Sequence, residues 1–342
     1  MLKLGGQVTK PCSSAAATAA TPAKKPAPVP AATPAKKPAE FPKGWWEFDE
    51  ARDQFNKREF SRALAAVNKA IAAAPNNESY RFLRARIYLG LRKTDEAVED
   101  LENVIMLANE VHPEAYALGA SIGFERKEYE PAMQALGEAI KTAEMLQETA
   151  LRAKYLAYRA GFNGMIGRHD ARYDDLTKAK SLGVPSAAEL NAEGWGYLYD
   201  GAYGMALLSA WAARLLDTKA AEPYTIAGVA YARLGDQAMS LAAFNDGLKL
   251  DPNYGIGHVY RGNLLFYMKS YDRSIEAVNK GLPLLTKKDA SIERLAYQTL
   301  AWSHCALGQK NEAAKFEAEL VKRGGKIESR CAGAPAAANG PR

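Results

Sequence analysis

Apolar positions in this chain recur at helical spacing, and no stretch alternates at the two-residue period of a half-buried strand. Ala63, Val67, Ala70 and Ile71 form one such set, and Phe244, Gly247 and Leu248 another. Each set puts its apolar residues on one face of a helix. The pattern runs from residue 44 to residue 321. Residues 1–43 are Ala, Pro, Lys and Thr almost throughout, with the octapeptide ATPAKKPA at 20–27 and again at 32–39, and residues 324–342 (GGKIESRCAGAPAAANGPR) have the same character. Neither tail has enough apolar surface to offset the entropy of ordering it, so both are expected to be disordered, the first as an extended linker.

The helical pattern is itself repeated. A small residue opens every second helix at Ala63, Ala97, Ala132, Ala206, Ser240, Ser274 and Ala313, with Arg172 in the fourth copy; the intervals are 34, 35, 40, 34, 34, 34 and 39 residues. Twelve residues before each of these anchors stands a further small residue: Ala51, Ala85, Ala120, Ala160, Gly194, Gly228, Gly262 and Ala301. Seven residues after it come Ala70, Ala139, Ala179, Ala213, Gly247 and Gly281, while the second copy has Val104 there. Small side chains at these points let neighbouring helices approach closely, and a bulky one would overpack the contact. An aromatic three residues before the anchor (Phe60, Tyr129, Tyr203, Tyr271) fills the space beside them, and Pro75 and Pro252 stop second helices.

These marks resemble the tetratricopeptide repeat (TPR) family, as a bacterial-type array of about eight repeats. The best copy is 221–254, with Gly228, Tyr231, Gly235-Asp236, Phe244, Leu248 and Asp251-Pro252. The resemblance implies an all-α fold, a right-handed α-solenoid of antiparallel helix pairs. Its repeats would be 44–77, 78–112, 113–152, 153–186, 187–220, 221–254, 255–293 and 294–321, between the linker 1–43 and the C-terminal tail 322–342. The fourth copy departs from the pattern through Arg172 and an insertion of about six residues before it.

Charge and chemistry narrow the function. The formal charge of +6 comes from the tails; residues 44–321 hold 33 basic and 37 acidic residues, a charge of −4, so nucleic acid is not an expected partner. No apolar run approaches the length of a transmembrane helix. Cys12, Cys305 and Cys331 form no CxxC pair and no even-numbered disulfide framework, which suits a reducing compartment or indifference to redox state. Met1–Lys10 contains no hydrophobic signal core, so a cytoplasmic location is the default; if the natural start lies upstream, a periplasmic or envelope location and membrane tethering become the alternative. His112, His169, His258 and His304 lack metal-ligand spacing, and the adjacent His304-Cys305 would not face each other on a helix. Gly161, Gly164 and Gly167 follow no strand and suit helix packing better than phosphate binding, and Glu99-Asp100 and Asp174-Asp175 read as solvated charge pairs. No enzyme activity, cofactor or metal is expected.

What remains is recognition by a surface. The resemblance places first helices along a concave groove, and projecting its inward positions onto this chain gives Arg52, Arg86, Phe124, Asn191, Trp195, Tyr199, Arg233, Asn263, Tyr267 and Trp302 as candidate peptide-binding residues. Ser121 and Glu125 project beside Phe124. Aromatic and Arg side chains are those that carry most interface energy, so the expected function is a non-catalytic scaffold binding a peptide segment or partner helix. The alternative is an envelope-associated module in export or assembly of polysaccharide or outer-membrane components. Chaperone-binding members of the family carry a clamp of paired Lys and Asn; here Phe48, Arg52, Phe82 and Ala117 stand in its place, so that role is not expected.

Overall fold

Local chemistry repeats along the chain, and so does local structure. Sixteen α-helices and no strand make up the described residues, 41–327, of this computed structural model. The expected disorder of 1–43 and 322–342 falls almost wholly outside those residues. In chain order the pairs are α1 (Trp45–Asn56) with α2 (Phe60–Ala73), α3 (Glu78–Gly90) with α4 (Thr94–Leu107), α5 (Pro113–Glu125) with α6 (Tyr129–Met145), and α7 (Thr149–Met165) with α8 (His169–Ser181). Then come α9 (Ala187–Asp200) with α10 (Tyr203–Leu216), α11 (Glu222–Arg233) with α12 (Gln237–Leu250), α13 (Gly255–Tyr267) with α14 (Tyr271–Gly281), and α15 (Ala290–Ala306) with α16 (Lys310–Lys322).

Turns of two or three residues join each pair, so its helices run antiparallel. Every such turn holds one residue in the left-handed region: Arg58, Arg92, Lys127, Gly167, Gly201, Gly235, Lys269 and Gly308, with φ between 60° and 85°. The small residues meet as their spacing implies. Ser240 Oγ donates to the Gly228 carbonyl at 2.7 Å, and Ser274 Oγ to the Gly262 carbonyl at 2.7 Å, each joining an anchor to the position twelve residues earlier. In the fourth repeat the bulk of Arg172 is admitted because Gly164 has no side chain; a Cβ there would stand 2.9 Å from Arg172 Cδ.

Two carboxylates differ from their expected place. Asp100 and Asp175 are buried, not solvated, because Arg84 and Arg159 each reach from the first helix of the same repeat and hold both oxygens at 2.7 to 2.8 Å. A buried carboxylate needs such a bidentate partner. Cys305, the one cysteine among the described residues, is disulfide-bonded, against the expectation of three cysteines without a disulfide framework; Cys12 and Cys331 lie outside the described residues.

Stacking between repeats is uneven. The second helix of one repeat lies on the first helix of the next throughout the chain except at α8 and α9, which barely touch. The reason is in α8: HDARYDDLTKAKS buries only Asp175 and Ala179, so it has no apolar face to offer and closes the first four repeats as a polar cap. The chain turns away through 182–186. Helix α10 (YGMALLSAWAARLL), apolar on nearly every side and with eleven residues buried, packs instead on α7 and α5, while α9 touches α3.

Two glycines set this approach. A Cβ at Gly161 would stand 2.9 Å from the Ala212 nitrogen, and one at Gly204 only 2.2 Å from the Ser121 carbonyl oxygen. Phe124 then meets Phe162 and Trp211 edge to face, 4.7 Å and 4.5 Å from the two ring centres. Beside them Tyr158, wholly buried, bonds Ser209 Oγ at 2.8 Å and Glu193 Oε2 at 2.9 Å, tying α7 to α10 and α9. The inner side of the first repeats is thus filled by the chain's own α9–α10 hairpin, which corrects the expectation of a groove open along the whole array.

Candidate functional site

Guanidinium groups line the seam where the first repeats meet the later ones. From the first turn Arg58 donates to the Tyr199 carbonyl at 2.9 Å with its guanidinium 4.2 Å from the Tyr199 ring centre; from the second, Arg92 donates to the Arg233 carbonyl at 2.6 Å and lies 4.7 Å from the centre of the Tyr203 ring. Both carbonyls lie at the C-terminal ends of helices, where the dipole favours a cation. Arg86 pairs with Asp200 at 2.8 Å and covers the Phe55 ring. Arg86, projected as a groove residue, is therefore engaged internally, and Arg52 is exposed on α1 beside Asp49.

Four of the projected residues gather. Trp195 and Tyr199 on α9 and Arg233 at the end of α11 lie around Tyr260, which counting inward positions does not give, and Tyr267 at the end of α13 lies within electrostatic reach of Arg233. Trp195 stacks on Tyr260 with ring centres 5.6 Å apart and donates Nε1–H to Glu222 at 2.9 Å. Tyr260 lies within electrostatic reach of Tyr199 and Arg233, and Arg233 within reach of Tyr203, Tyr260, Tyr267 and Arg92; burial, the largest influence on each, holds the phenol of Tyr260 high and lowers the guanidinium of Arg233. Tyr199 is 50% exposed, so the cluster reaches solvent.

The other four projected residues are packing residues. Asn191 is buried and donates to Glu222 at 3.0 Å, Asn263 is buried and donates to Thr299 at 3.1 Å, and Trp302 is buried against Phe266. Phe124 belongs to the aromatic junction with α7 and α10. Helix spacing marks a face, and here the face that looks inward also carries the contacts between successive first helices.

A second surface feature adjoins Phe124. A cleft of about 670 Å³ opens between the turn after α5 and the turn after α11, lined by Phe124, Glu125, Tyr129, Met165, Tyr231 and Asp236 among others. Glu125 Oε1 accepts from the Gly204 amide at 2.6 Å, at the first turn of α10. Burial pushes its carboxyl up to about 7, against the opposing pull of that hydrogen bond, Arg92 and Arg126. Glu125 was visible in the sequence only as an inward-facing position; its partner lies 79 residues away.

Three of the four histidines serve packing and caps, and His169 is exposed at the start of α8. His112 accepts from the Ala115 amide, His258 Nε2 lies 2.8 Å from the Pro252 carbonyl, and His304 stacks on Phe316. Among the described residues no group of His, Cys, Asp and Glu could hold a metal ion, and no helix is long and apolar enough to cross a membrane.

Residues 79–110 and 221–254 match the tetratricopeptide repeat model. The chain is 24% identical over 252 residues to Hsp70-Hsp90 organizing protein 3 of Arabidopsis thaliana, covering 69% of this chain and 42% of that protein. It is 23% identical over 245 residues to Hsp70-Hsp90 organizing protein 1 of Glycine max, covering 67% and 39%. The chain thus spans about two fifths of the length of these curated relatives. A solved structure of the TPR2AB domain of yeast Sti1 in complex with pHSP90 is 17% identical, with a TM-score of 0.29 over 79% of this chain and 98% of that one. The chain thus carries tetratricopeptide repeats, two of them matched directly, in an array of eight hairpins of one pattern among the described residues.

Proposed function

We propose that this chain is a non-catalytic protein-interaction scaffold that holds a peptide segment or partner helix on the aromatic face of its fifth to seventh repeats. The observation that carries the reading is the gathering of Trp195, Tyr199, Arg233, Tyr260 and Tyr267 from three helices, with Tyr199 half exposed. Large aromatic rings beside a partly desolvated guanidinium are the side chains that dominate interface energy. The corresponding side of the first repeats is covered by α9 and α10. The relatives named for organizing Hsp70 and Hsp90 support a scaffold role; a chaperone partner is not proposed for this chain, whose clamp positions hold Phe48, Arg52, Phe82 and Ala117.

The test is affinity capture with the intact chain, identification of the retained protein, and measurement of its affinity after purification. Tyr199→Ala and Tyr267→Ala should each weaken binding by roughly thirtyfold, the equivalent of about 2 kcal/mol. The thermal midpoint of Tyr199→Ala should stay within about 2 degrees, since little buried surface is lost. A purified partner that binds both variants as well as the parent chain would end this reading.

The Cys305 disulfide favours a second reading, in which the scaffold works in the cell envelope, because disulfides persist in oxidising compartments. Fractionation of the protein expressed from its natural start decides it, and recovery from the cytoplasm alone would exclude it.

A further inference from the structure

The seam of basic turn residues changes character at its third member. Arg58 and Arg92 reach across to carbonyl groups, whereas Lys127, in the same left-handed position of the third turn, makes no side-chain hydrogen bond or ion pair among the described residues. Here the turns of the third and sixth repeats stand apart, and the cleft of about 670 Å³ lies between them.

Its walls combine three rings with two carboxyl groups. Phe124 and Tyr129 have ring centres 5.5 Å apart. Tyr231, whose phenol is pushed up to about 12 chiefly by burial, lies within electrostatic reach of Arg214, Asp236 and Tyr129; the Arg214 guanidinium covers the Tyr224 ring. Aromatic faces present negative potential, and a carboxylate near them makes the enclosed space attractive to a cation.

The charged groups around Glu125 leave that attraction unmet. From the turn after α3 comes Arg92, already bonded to the Arg233 carbonyl and lying over Tyr203; from its own turn comes Arg126, paired with Asp95. Lys127 itself lines the cleft, offsetting one of its two carboxyl groups, and from the turn after α11 Asp236 caps α12 by accepting from the Met239 amide. The two guanidiniums lower the Glu125 pKa less than burial raises it. Apart from the Gly204 amide, no hydrogen bond engages the Glu125 carboxyl among the described residues. The net charge of −4 over residues 44–321 also favours approach of a basic segment over an acidic one.

We propose that this cleft receives a lysine-type side chain from a basic peptide segment of the partner. The aliphatic stem would run along Met165 and Leu234, and the ammonium would sit between the Tyr129 and Tyr231 rings and the Glu125 carboxylate. The inference rests on the scaffold reading, but it concerns a different face, so its failure would leave the binding test at Tyr199 and Tyr267 unaffected.

The experiment uses the full chain with methyl-labelled methionine, since Met165 and Met239 both line the cleft. Probes are acetyl-Ala-Lys-Ala-amide, its norleucine counterpart with the same stem and no charge, and its glutamate counterpart. The lysine probe should shift both methyl signals and bind about tenfold more tightly than the norleucine probe at pH 8. Its affinity should rise about tenfold between pH 6 and pH 8 as Glu125 ionises around pH 7, because only the carboxylate attracts the ammonium. Glu125→Gln keeps an acceptor for Gly204 and should abolish that pH dependence, with roughly tenfold weaker binding at pH 8. Tyr129→Ala, at a partly exposed ring, should weaken binding with the fold intact, which separates loss of the site from loss of structure. Equal binding of the norleucine probe, preference for the glutamate probe, or unchanged pH-dependent binding in Glu125→Gln would overturn the proposal.

Discussion

The first four repeats and the last four share one hairpin design and present opposite inner surfaces. In the first set the inner sides of α3, α5 and α7 carry the α9–α10 hairpin, and Arg58, Arg86 and Arg92 are engaged by it or by the neighbouring α11. In the second set the inner helices keep an aromatic cluster that reaches solvent at Tyr199. A solenoid repeat contacts its neighbours, so identical repeats would give one continuous groove. The difference arises from two helices: α8, too polar to carry the stack onward, and α10, too apolar to be covered from one side. A concave face is a binding surface only where the superhelix does not close on it.

The largest way to break this contrast is at Gly204. Gly204→Ala would place a methyl group 2.2 Å from the Ser121 carbonyl oxygen and should cost about 3 kcal/mol in urea unfolding. Gly196→Ala, on the exposed side of α9 with nothing within 4 Å, should instead stabilise by about 0.5 to 1 kcal/mol. Equal effects would mean that α10 does not dock on α5.

Tyr158→Phe should cost about 2 kcal/mol, because Ser209 and Glu193 lose a buried partner; Tyr173→Phe, on the 70% exposed ring of α8, should be silent. A silent Tyr158→Phe would remove the polar tie between the two sets of repeats.

The same junction should respond to pH. Glu125 has a folded value of about 7 against its ordinary 4.5, so the folded chain binds the proton more tightly than the unfolded one. Its contribution to stability is therefore full below about pH 4.5 and lost as pH rises toward 7 and beyond. Between pH 8 and pH 6 the parent chain should gain about 1 kcal/mol relative to Glu125→Gln, whose curve lacks this component. Parallel curves would place Glu125 in water.

The smallest effect compares two turns. Lys269 holds a left-handed conformation without a partner across the seam, so Lys269→Gly should stabilise by up to about 1 kcal/mol. Arg92→Gly relieves the same strain but removes the guanidinium from the Arg233 carbonyl and the Tyr203 ring, so the gain should vanish or reverse. Thermal midpoints of the two variants measure the difference.

Repetition made the hairpins readable. Ser240 and Gly228, or Ser274 and Gly262, stand twelve residues apart and touch, and the same spacing recurs in every copy. The aromatic cluster was half readable: Trp195, Tyr199, Arg233 and Tyr267 follow from counting inward positions, while Tyr260 lies off that count and joins only because α13 turns it onto Trp195. Asn191, Asn263 and Trp302 satisfied the same count and proved buried, since positions on first helices serve either solvent or the next repeat, and spacing does not distinguish the two. Arg172 and the long interval before it flagged the fourth repeat as irregular. The polarity of HDARYDDLTKAKS and the glycines Gly161 and Gly204 were the further signals that the stack breaks there.

By itself, the sequence determined the all-α class, the eight antiparallel hairpins and the small residues that pack them, because these depend on contacts within a few tens of residues that every copy must satisfy. Only the tertiary structure decided that α10 fills the inner side of the first repeats, that Glu125 grips Gly204, and that Arg58 and Arg92 close a seam onto residues 141 positions away. Those contacts follow from the summed small rotations between repeats and from one interrupted stack, and a quantity accumulated over several repeats leaves no period in the chain to be read.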